Sequence, residues 1–142
     1  MESNTNMIPS VLYKKIVELV PILCVDVILI HEGKYILVKR KKEPLKGQWW
    51  VVGGRALKGE MSHQTAVRKV KEETNLKVIN FRLRGIYEDH YKKSAFGIPT
   101  SSVSIVYQAE VEKFNPKLDG TSSDIKLADF LPTRLVKKIT WI

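Results

Sequence analysis

Apolar residues along the chain recur with two different periods, which predict strands and helices in turn. Continuous or alternating apolar runs predict strands at 22–30, 35–40, 77–91, 101–112 and 124–127. Apolar positions three and four residues apart predict helices at 10–20, 62–75 and 132–139. The order helix, strands, helix, strands, helix indicates an α+β fold with a mixed β-sheet between helices.

The stretch from Gly53 to Leu76 combines a glycine pair with an amphipathic helix. Ser62 is a candidate N-cap, and Asn75 is a candidate left-handed stop. Glu60 precedes the helix, while Glu72 and Glu73 lie near its end. Three carboxylates beside glycine carbonyls form a set of hard oxygen ligands that suits Mg²⁺. The stretch therefore predicts a metal and phosphate site.

The same stretch resembles the box of the Nudix hydrolases, G-x5-E-x7-R-E-U-x-E-E-x-G-U, where U is aliphatic. Seven positions match at the right spacing: Gly54, Glu60, Arg68, Val70, Glu72, Glu73 and Leu76. Two positions depart, because Lys69 stands where the family has glutamate and Asn75 stands where it has glycine. The resemblance implies a Nudix-type α/β/α sandwich in a single domain over 1–142, with its box at 54–76.

One branch of the family, the GDP-mannose mannosyl hydrolases, lacks the same glutamate and cleaves a sugar carbon–oxygen bond. The segment KRKKEPLKGQWWVVGGR is similar to that branch. The resemblance implies Mg²⁺, with Mn²⁺ as an alternative, on a small-molecule nucleotide diphosphate such as GDP-mannose. The implied metal ligands are Gly53, Glu60, Glu72 and Glu73. The implied substrate-binding and catalytic positions are Asp26, Arg40, Trp49, Arg55, Glu73, His90 and Asp124.

The general base and the site of attack stay open at the level of sequence. The mannosyl hydrolases use a histidine in the loop before the last helix, and this chain has none there. His90, Asp119 or Asp124 would have to replace it. A second hypothesis is a pyrophosphohydrolase that attacks phosphorus, with Glu72 or Glu60 as base. A third is a non-catalytic nucleotide- or RNA-binding protein, which Lys69 favours.

Composition indicates the class of partner only in outline. The net charge of +9 favours anionic ligands such as nucleotides, with nucleic acid as a weaker alternative. A single cysteine and a polar start at 1–7 without a targeting pattern predict a cytoplasmic protein with no membrane span. The first helix either packs on its own domain or, as in the mannosyl hydrolases, crosses to a second subunit, which predicts a homodimer. His31 and His63 are expected on the surface.

Overall fold

The computed structural model describes residues 7–142, which form three helices and eight strands. The helices are α1 (Ser10–Leu19), α2 (Ser62–Thr74) and α3 (Thr133–Lys138). The strands are β1 (Ile22–His31), β2 (Lys34–Arg40), β3 (Trp49–Trp50), β4 (Val52–Arg55), β5 (Val78–Tyr91), β6 (Thr100–Val111), β7 (Ser122–Ala128) and β8 (Ile139–Trp141). The prediction about a targeting segment falls mainly on residues 1–6, outside the described part.

All eight strands belong to one mixed sheet. Its main order is β3-β2-β1-β6-β5-β8, with β4 paired to β1 and β7 paired to β2. Strands β1 and β6 run parallel, whereas the other pairs are antiparallel. The mixed sheet and the α+β class are therefore confirmed.

Alternation along β1 explains why helices cover both faces of the sheet. Val25, Val27 and Leu29 lie in one core cluster, together with Ala66 and Val70 of α2. Ile28 lies in a second cluster, which includes Leu135 of α3. Because successive strand residues point to opposite faces, one continuous apolar run supplies both cores. The result is the α/β/α layering that the resemblance implies.

Helix α2 ends as its sequence predicts, although it begins one residue differently. Asn75 adopts a left-handed conformation with φ of 56° and donates its backbone N–H to Lys71 O. The N-cap is Met61, whose backbone N–H donates to Gln64 Oε1 at 2.8 Å, and Ser62 is the first helical residue. Glu73 belongs to the buried face of α2, and together with Lys69 it lines the cleft beside the sheet.

The edges of the sheet differ from the sequence predictions in two places. The helix predicted at 132–139 is present as α3, but it is followed by strand β8, which was not predicted and which pairs with β5. The expectation that His31 lies on the surface was wrong. His31 is buried, and its Nδ1 lies 2.7 Å from Val111 O. The ring also stacks on Phe114. The turn sequence around His31 indicated exposure, but its place at the end of β1 carries the ring onto β6.

In the part of the chain that the structure describes, no helix has both the length and the apolar character needed to cross a membrane.

Candidate functional site

A cleft of about 320 Å³ opens where two partners of β1 diverge. β1 pairs with β2 through residues 29–31 and with β4 through residues 24–27, so β2 and β4 separate along the strand. The ionisable side chains of the cleft come from two helices, from four strands and from the loop after β2. They are Tyr13, Cys24, Asp26, Arg40, Lys41, Lys42, Glu43, Arg55, Lys69, Glu73 and Tyr91.

Asp26 is a buried carboxyl group in the cleft, as is Glu73. Its Oδ2 accepts a hydrogen bond of 2.6 Å from the Ser104 hydroxyl. Its Oδ1 lies against Gly53, where a Cβ atom would overlap it. Burial raises the pKa of Asp26 to about 6, despite the opposing effects of Ser104 and Arg40. Asp26 can therefore exchange a proton near neutral pH.

Arg40 is fixed at the end of β2 by the loop that follows it. Its backbone N–H donates to Gln48 O and its backbone O accepts from Gly47 N. Its Nε donates to Pro44 O at 2.6 Å. The hydrogen bonds of the described residues include none from its Nη atoms, so these donors remain for a ligand. Lys41 and Lys42 line the cleft beside it.

Arg55 approaches the cleft from β4, opposite Cys24 of β1. Its Cζ lies 5.2 Å from the ring centre of Tyr13, so the guanidinium group stacks on α1. A weak hydrogen bond of 3.4 Å joins its Nη1 to Ala56 O. The cation is therefore oriented by an aromatic face, and it is not neutralised by a carboxylate in the described residues.

Glu73 and Lys69 form an ion pair on the inner face of α2. Lys69 Nζ lies 2.9 Å from Glu73 Oε2 and 3.6 Å from Glu72 Oε1. The side chain of Glu73 is 7% exposed and that of Lys69 is 15% exposed. Burial raises the pKa of Glu73, while Lys69 opposes this shift. The ammonium group thus lies directly on the oxygen that would otherwise face a cation.

Glu60, in the loop before α2, is held by Arg68 of that helix. Arg68 Nε donates to Glu60 Oε2 at 2.7 Å and its Nη2 donates to Oε1 at 3.0 Å. Thr65 and the backbone N–H of Leu57 also donate to Glu60. These bonds lower the pKa of Glu60 to about 2, with the Arg68 hydrogen bonds contributing most. Arg68 also reaches Glu72 at 3.2 Å, which ties the box loop to α2.

The predicted metal ligands do not form a preorganised cage. Gly53 and Glu73 line the cleft, but Glu60 is saturated by Arg68 and Glu72 is an exposed partner of Arg68. Residues 7–142 contain no group of three or more His, Cys, Asp or Glu side chains arranged to hold a metal ion. The donor set as it stands does not fit a divalent ion, because an ammonium group occupies the remaining buried carboxylate.

Three of the predicted substrate-binding and catalytic positions lie away from the cleft lining. Trp49 packs against Lys126, with 4.3 Å from Nζ to the ring centre. Asp124 is exposed on β7, and its carboxylate accepts from the backbone N–H of Ile125. His90 is exposed and borders a neighbouring groove. His63 is also exposed, as predicted. Asp26, Arg40, Arg55, Gly53 and Glu73 are the predicted positions that the structure brings together.

The segment 87–91, in which every residue has an ionisable side chain, joins α3 to the sheet. Asp89 has a fully buried side chain that accepts from Arg134 at 2.5 Å and from Lys138 at 2.8 Å. The Tyr87 hydroxyl also donates to it. Burial opposes ionisation of Asp89, but these donors outweigh it and hold its pKa well below the ordinary range. Of this segment, Tyr91 is the side chain that lines the cleft.

Sequence reasoning missed several lining residues. Tyr13, Lys41, Lys42 and Tyr91 all border the cleft. The lysines follow Arg40 directly in the printed sequence, so a basic run at a strand end was an available signal. No sequence signal places Tyr13 there, since its position depends on how α1 packs.

Comparison with known proteins identifies the family of the chain. The NUDIX domain family model matches residues 21–139. Low-salt glycan biosynthesis protein Agl8 of Haloferax volcanii is 30% identical over 125 residues, which is 87% of this chain and 80% of that protein. An ADP-ribose pyrophosphatase of Methanocaldococcus jannaschii is 39% identical over 67 residues, which is 47% of this chain but only 40% of that protein.

A solved structure shares the fold at low sequence identity. The MutT NUDIX hydrolase from Burkholderia pseudomallei superposes with a TM-score of 0.70 and 19% identity, covering 83% of this chain and 95% of that one. The match of the family model over most of the chain, together with the box residues in the cleft, decides the assignment. The chain belongs to the Nudix family.

Proposed function

We propose that the protein hydrolyses a nucleotide-linked diphosphate, and that its substrate is a nucleoside diphosphate joined to a sugar. One observation carries this proposal: a single cleft combines the cations of Arg40, Arg55 and Lys69 with the buried carboxyl group of Asp26. The cations suit a diphosphate, because guanidinium groups bind phosphate oxygens in pairs. The carboxyl group suits proton transfer at a neighbouring neutral group.

The named relatives support a nucleotide sugar. ADP-ribose, which appears in the name of one relative, is a nucleoside diphosphate linked to a sugar. The other relative is named for glycan biosynthesis, a process that consumes activated sugars. Within this class, the segment from Lys39 to Arg55 favours GDP-mannose by its similarity to the mannosyl hydrolases.

The proposed reaction is the attack of water on the sugar carbon that bears the diphosphate. Asp26 accepts the proton of that water, and the electrons of the carbon–oxygen bond pass to the departing diphosphate. Arg40, Arg55 and Lys69 stabilise the negative charge that develops there. The products are the free sugar, the nucleoside diphosphate and one proton. The pKa of Asp26, raised by burial to about 6, leaves the group ionised and basic at neutral pH.

Nudix hydrolases generally use divalent metal ions. The expectation of Mg²⁺ or Mn²⁺ on Gly53, Glu60, Glu72 and Glu73 is not carried into this mechanism, because the donor set does not fit such an ion. The proposed steps therefore use only the side chains of the chain itself.

The experiment that tests the proposal is hydrolysis in water labelled with heavy oxygen. GDP-mannose, ADP-ribose and nucleoside triphosphates are each incubated with the protein, and the products are identified by mass spectrometry. The proposal expects label in the free sugar and none in phosphate. Label in a phosphate group would instead establish attack on phosphorus.

The second candidate function is pyrophosphohydrolysis. The name of the Methanocaldococcus jannaschii relative favours it. Here Glu72 is the better base, because it is exposed while Glu60 is saturated by Arg68. A non-catalytic nucleotide-binding protein is favoured by the Lys69–Glu73 pair alone. It would bind the same ligands without turnover, so the labelling experiment separates all three functions.

We also propose that the protein is a cytoplasmic homodimer. Helix α1 buries only Val17 and leaves Val11, Leu12 and Leu19 largely exposed. An exposed apolar stripe beside the cleft is suited to a second subunit. Light scattering coupled to size-exclusion chromatography should give the mass of a dimer, and Leu12→Glu should give that of a monomer. The single cysteine, Cys24, accords with a reducing compartment.

A further inference from the structure

The side chain of Lys69 on α2 packs closely against the backbone of β4 at Gly54. An ideal Cβ on Gly54 would lie 2.5 Å from Lys69 Cε and 3.2 Å from its Nζ. The alkyl chain of Lys69 therefore crosses the strand over a residue that has no side chain. A side chain at position 54 would overlap the alkyl chain of Lys69, which would then have to shift.

The charges around Lys69 are arranged as they would be around a bound cation. Glu73 and Glu72 lie at 2.9 and 3.6 Å from its Nζ. Glu73 contributes a carboxylate that is almost fully buried, and a buried carboxylate needs a partner. A dication in the same place would face both the carboxylates and a positive ammonium group, and like charges at this distance repel strongly.

We infer that the Lys69 ammonium group is the resident cation of this site, and that it binds the diphosphate of the ligand together with Arg40 and Arg55 without a divalent ion. All three cations line the same cleft. An ammonium group has three donors, so it can keep Glu73 and still donate to a phosphate oxygen. This inference rests on the proposed function only for the class of ligand.

The first arm of the test measures cation binding without any nucleotide. Manganese alone is titrated into the protein, and free Mn²⁺ is followed by electron paramagnetic resonance. Wild-type protein should show no stoichiometric site. Lys69→Glu should bind Mn²⁺ at least about tenfold more tightly, because the added carboxylate joins Glu73. Lys71→Glu, with the same charge change on the exposed side of α2, should behave as wild type.

The second arm measures nucleotide binding by calorimetry. GDP-mannose and ADP-ribose should bind wild-type protein equally with EDTA and with Mg²⁺. Lys69→Gln should weaken binding by roughly 10- to 100-fold, which is the loss expected for a hydrogen bond to a charged group. Lys71→Gln should have no effect. Circular dichroism checks that each variant is folded, and Lys69→Gln keeps the test decisive if Lys69→Glu does not fold.

Stoichiometric Mn²⁺ binding by wild-type protein, or nucleotide binding that requires Mg²⁺, would overturn the inference. Failure of the proposed function looks different. In that case none of the nucleotide sugars is hydrolysed, whereas Lys69→Glu still binds Mn²⁺ more tightly than wild-type protein does.

Discussion

Replacing Asp26 with asparagine should stabilise the protein at alkaline pH while removing its activity. The carboxyl group is buried, and its pKa is raised from 3.8 to about 6 in the folded chain. The folded state therefore holds the Asp26 proton more tightly than the unfolded state does. That contribution to stability is complete below the unfolded pKa and is lost as the pH rises through about 6.

The size of the effect follows from the same shift. At 1.36 kcal/mol for each tenfold change in proton affinity, ionisation of Asp26 costs the folded state up to roughly 3 kcal/mol. Asparagine stays neutral, and its side-chain oxygen can still accept the hydroxyl of Ser104, which lies 2.6 Å from Asp26 Oδ2. The free energy of unfolding should therefore rise by roughly 1–3 kcal/mol at about pH 8 and change little at about pH 4.

Urea denaturation at both pH values measures the free energy of unfolding of wild-type protein and of Asp26→Asn. Asp124→Asn is the matched control, because Asp124 is exposed on β7. Hydrolysis should fall by about 10²-fold or more in Asp26→Asn and stay unchanged in the control. Wild-type turnover should increase as the pH passes about 6. Destabilisation of Asp26→Asn at alkaline pH, with turnover intact, would refute this reasoning and make Asp26 a structural carboxyl group.

Three further variants test other parts of the structure. Arg55→Lys should weaken nucleotide binding by about tenfold in calorimetry, since lysine cannot form paired bonds to phosphate, whereas Arg82→Lys on exposed β5 should not. Gly53→Ala should lower the free energy of unfolding, measured by urea denaturation, by roughly 1–3 kcal/mol. The reason is that the added Cβ would lie 2.5 Å from a backbone oxygen and would overlap Asp26. A variant as stable as wild-type protein would contradict this tight packing. Asp89→Asn should cost roughly 1–3 kcal/mol at neutral pH, and the loss should shrink in acid, where the lowered pKa of Asp89 is reached; a loss independent of pH would contradict an ionic role.

Local pattern was sufficient to predict most of the fold. The helical period and the box placed α2 within one residue at each end, and apolar runs located the five longest strands. Strand β8 was missed because three residues carry too little periodicity, and it is stabilised by pairing with β5. His31 was misplaced for a related reason: its turn is local, but its hydrogen-bond acceptor, Val111 O, lies 80 residues away.

Residue spacing alone predicted the candidate site only where helix geometry determines proximity, whereas the family resemblance supplied Asp26, Arg40 and Arg55. Residues four apart on a helix are neighbours, so the pairs Arg68–Glu72 and Lys69–Glu73 follow from spacing alone. The spacing does not determine which carboxylate Arg68 binds more strongly, and the structure shows that it is Glu60 in the preceding loop. The base could not be chosen from sequence at all, because that choice depends on which carboxyl group the diverging strands bury.

The exchange of one glutamate for Lys69 changes the electrostatic design of the whole cleft. A carboxylate at that position would add a negative charge beside Glu73, and such a pair needs an external cation before an anionic ligand can approach. Lysine at this position makes the local charge more positive by two than glutamate would. Glu73 is therefore neutralised by a residue of its own helix. Arg40 and Arg55 then lie in the cleft as unneutralised cations, and a net charge of +9 strengthens the attraction for a diphosphate at long range. Attraction of this kind is screened by salt, so the rate of nucleotide association should fall as ionic strength rises, and it should fall less steeply in Lys69→Gln. Stopped-flow measurement of the association rate at several salt concentrations checks this. An equal dependence of the rate on salt in the variant and in wild type would show that Lys69 does not attract the ligand.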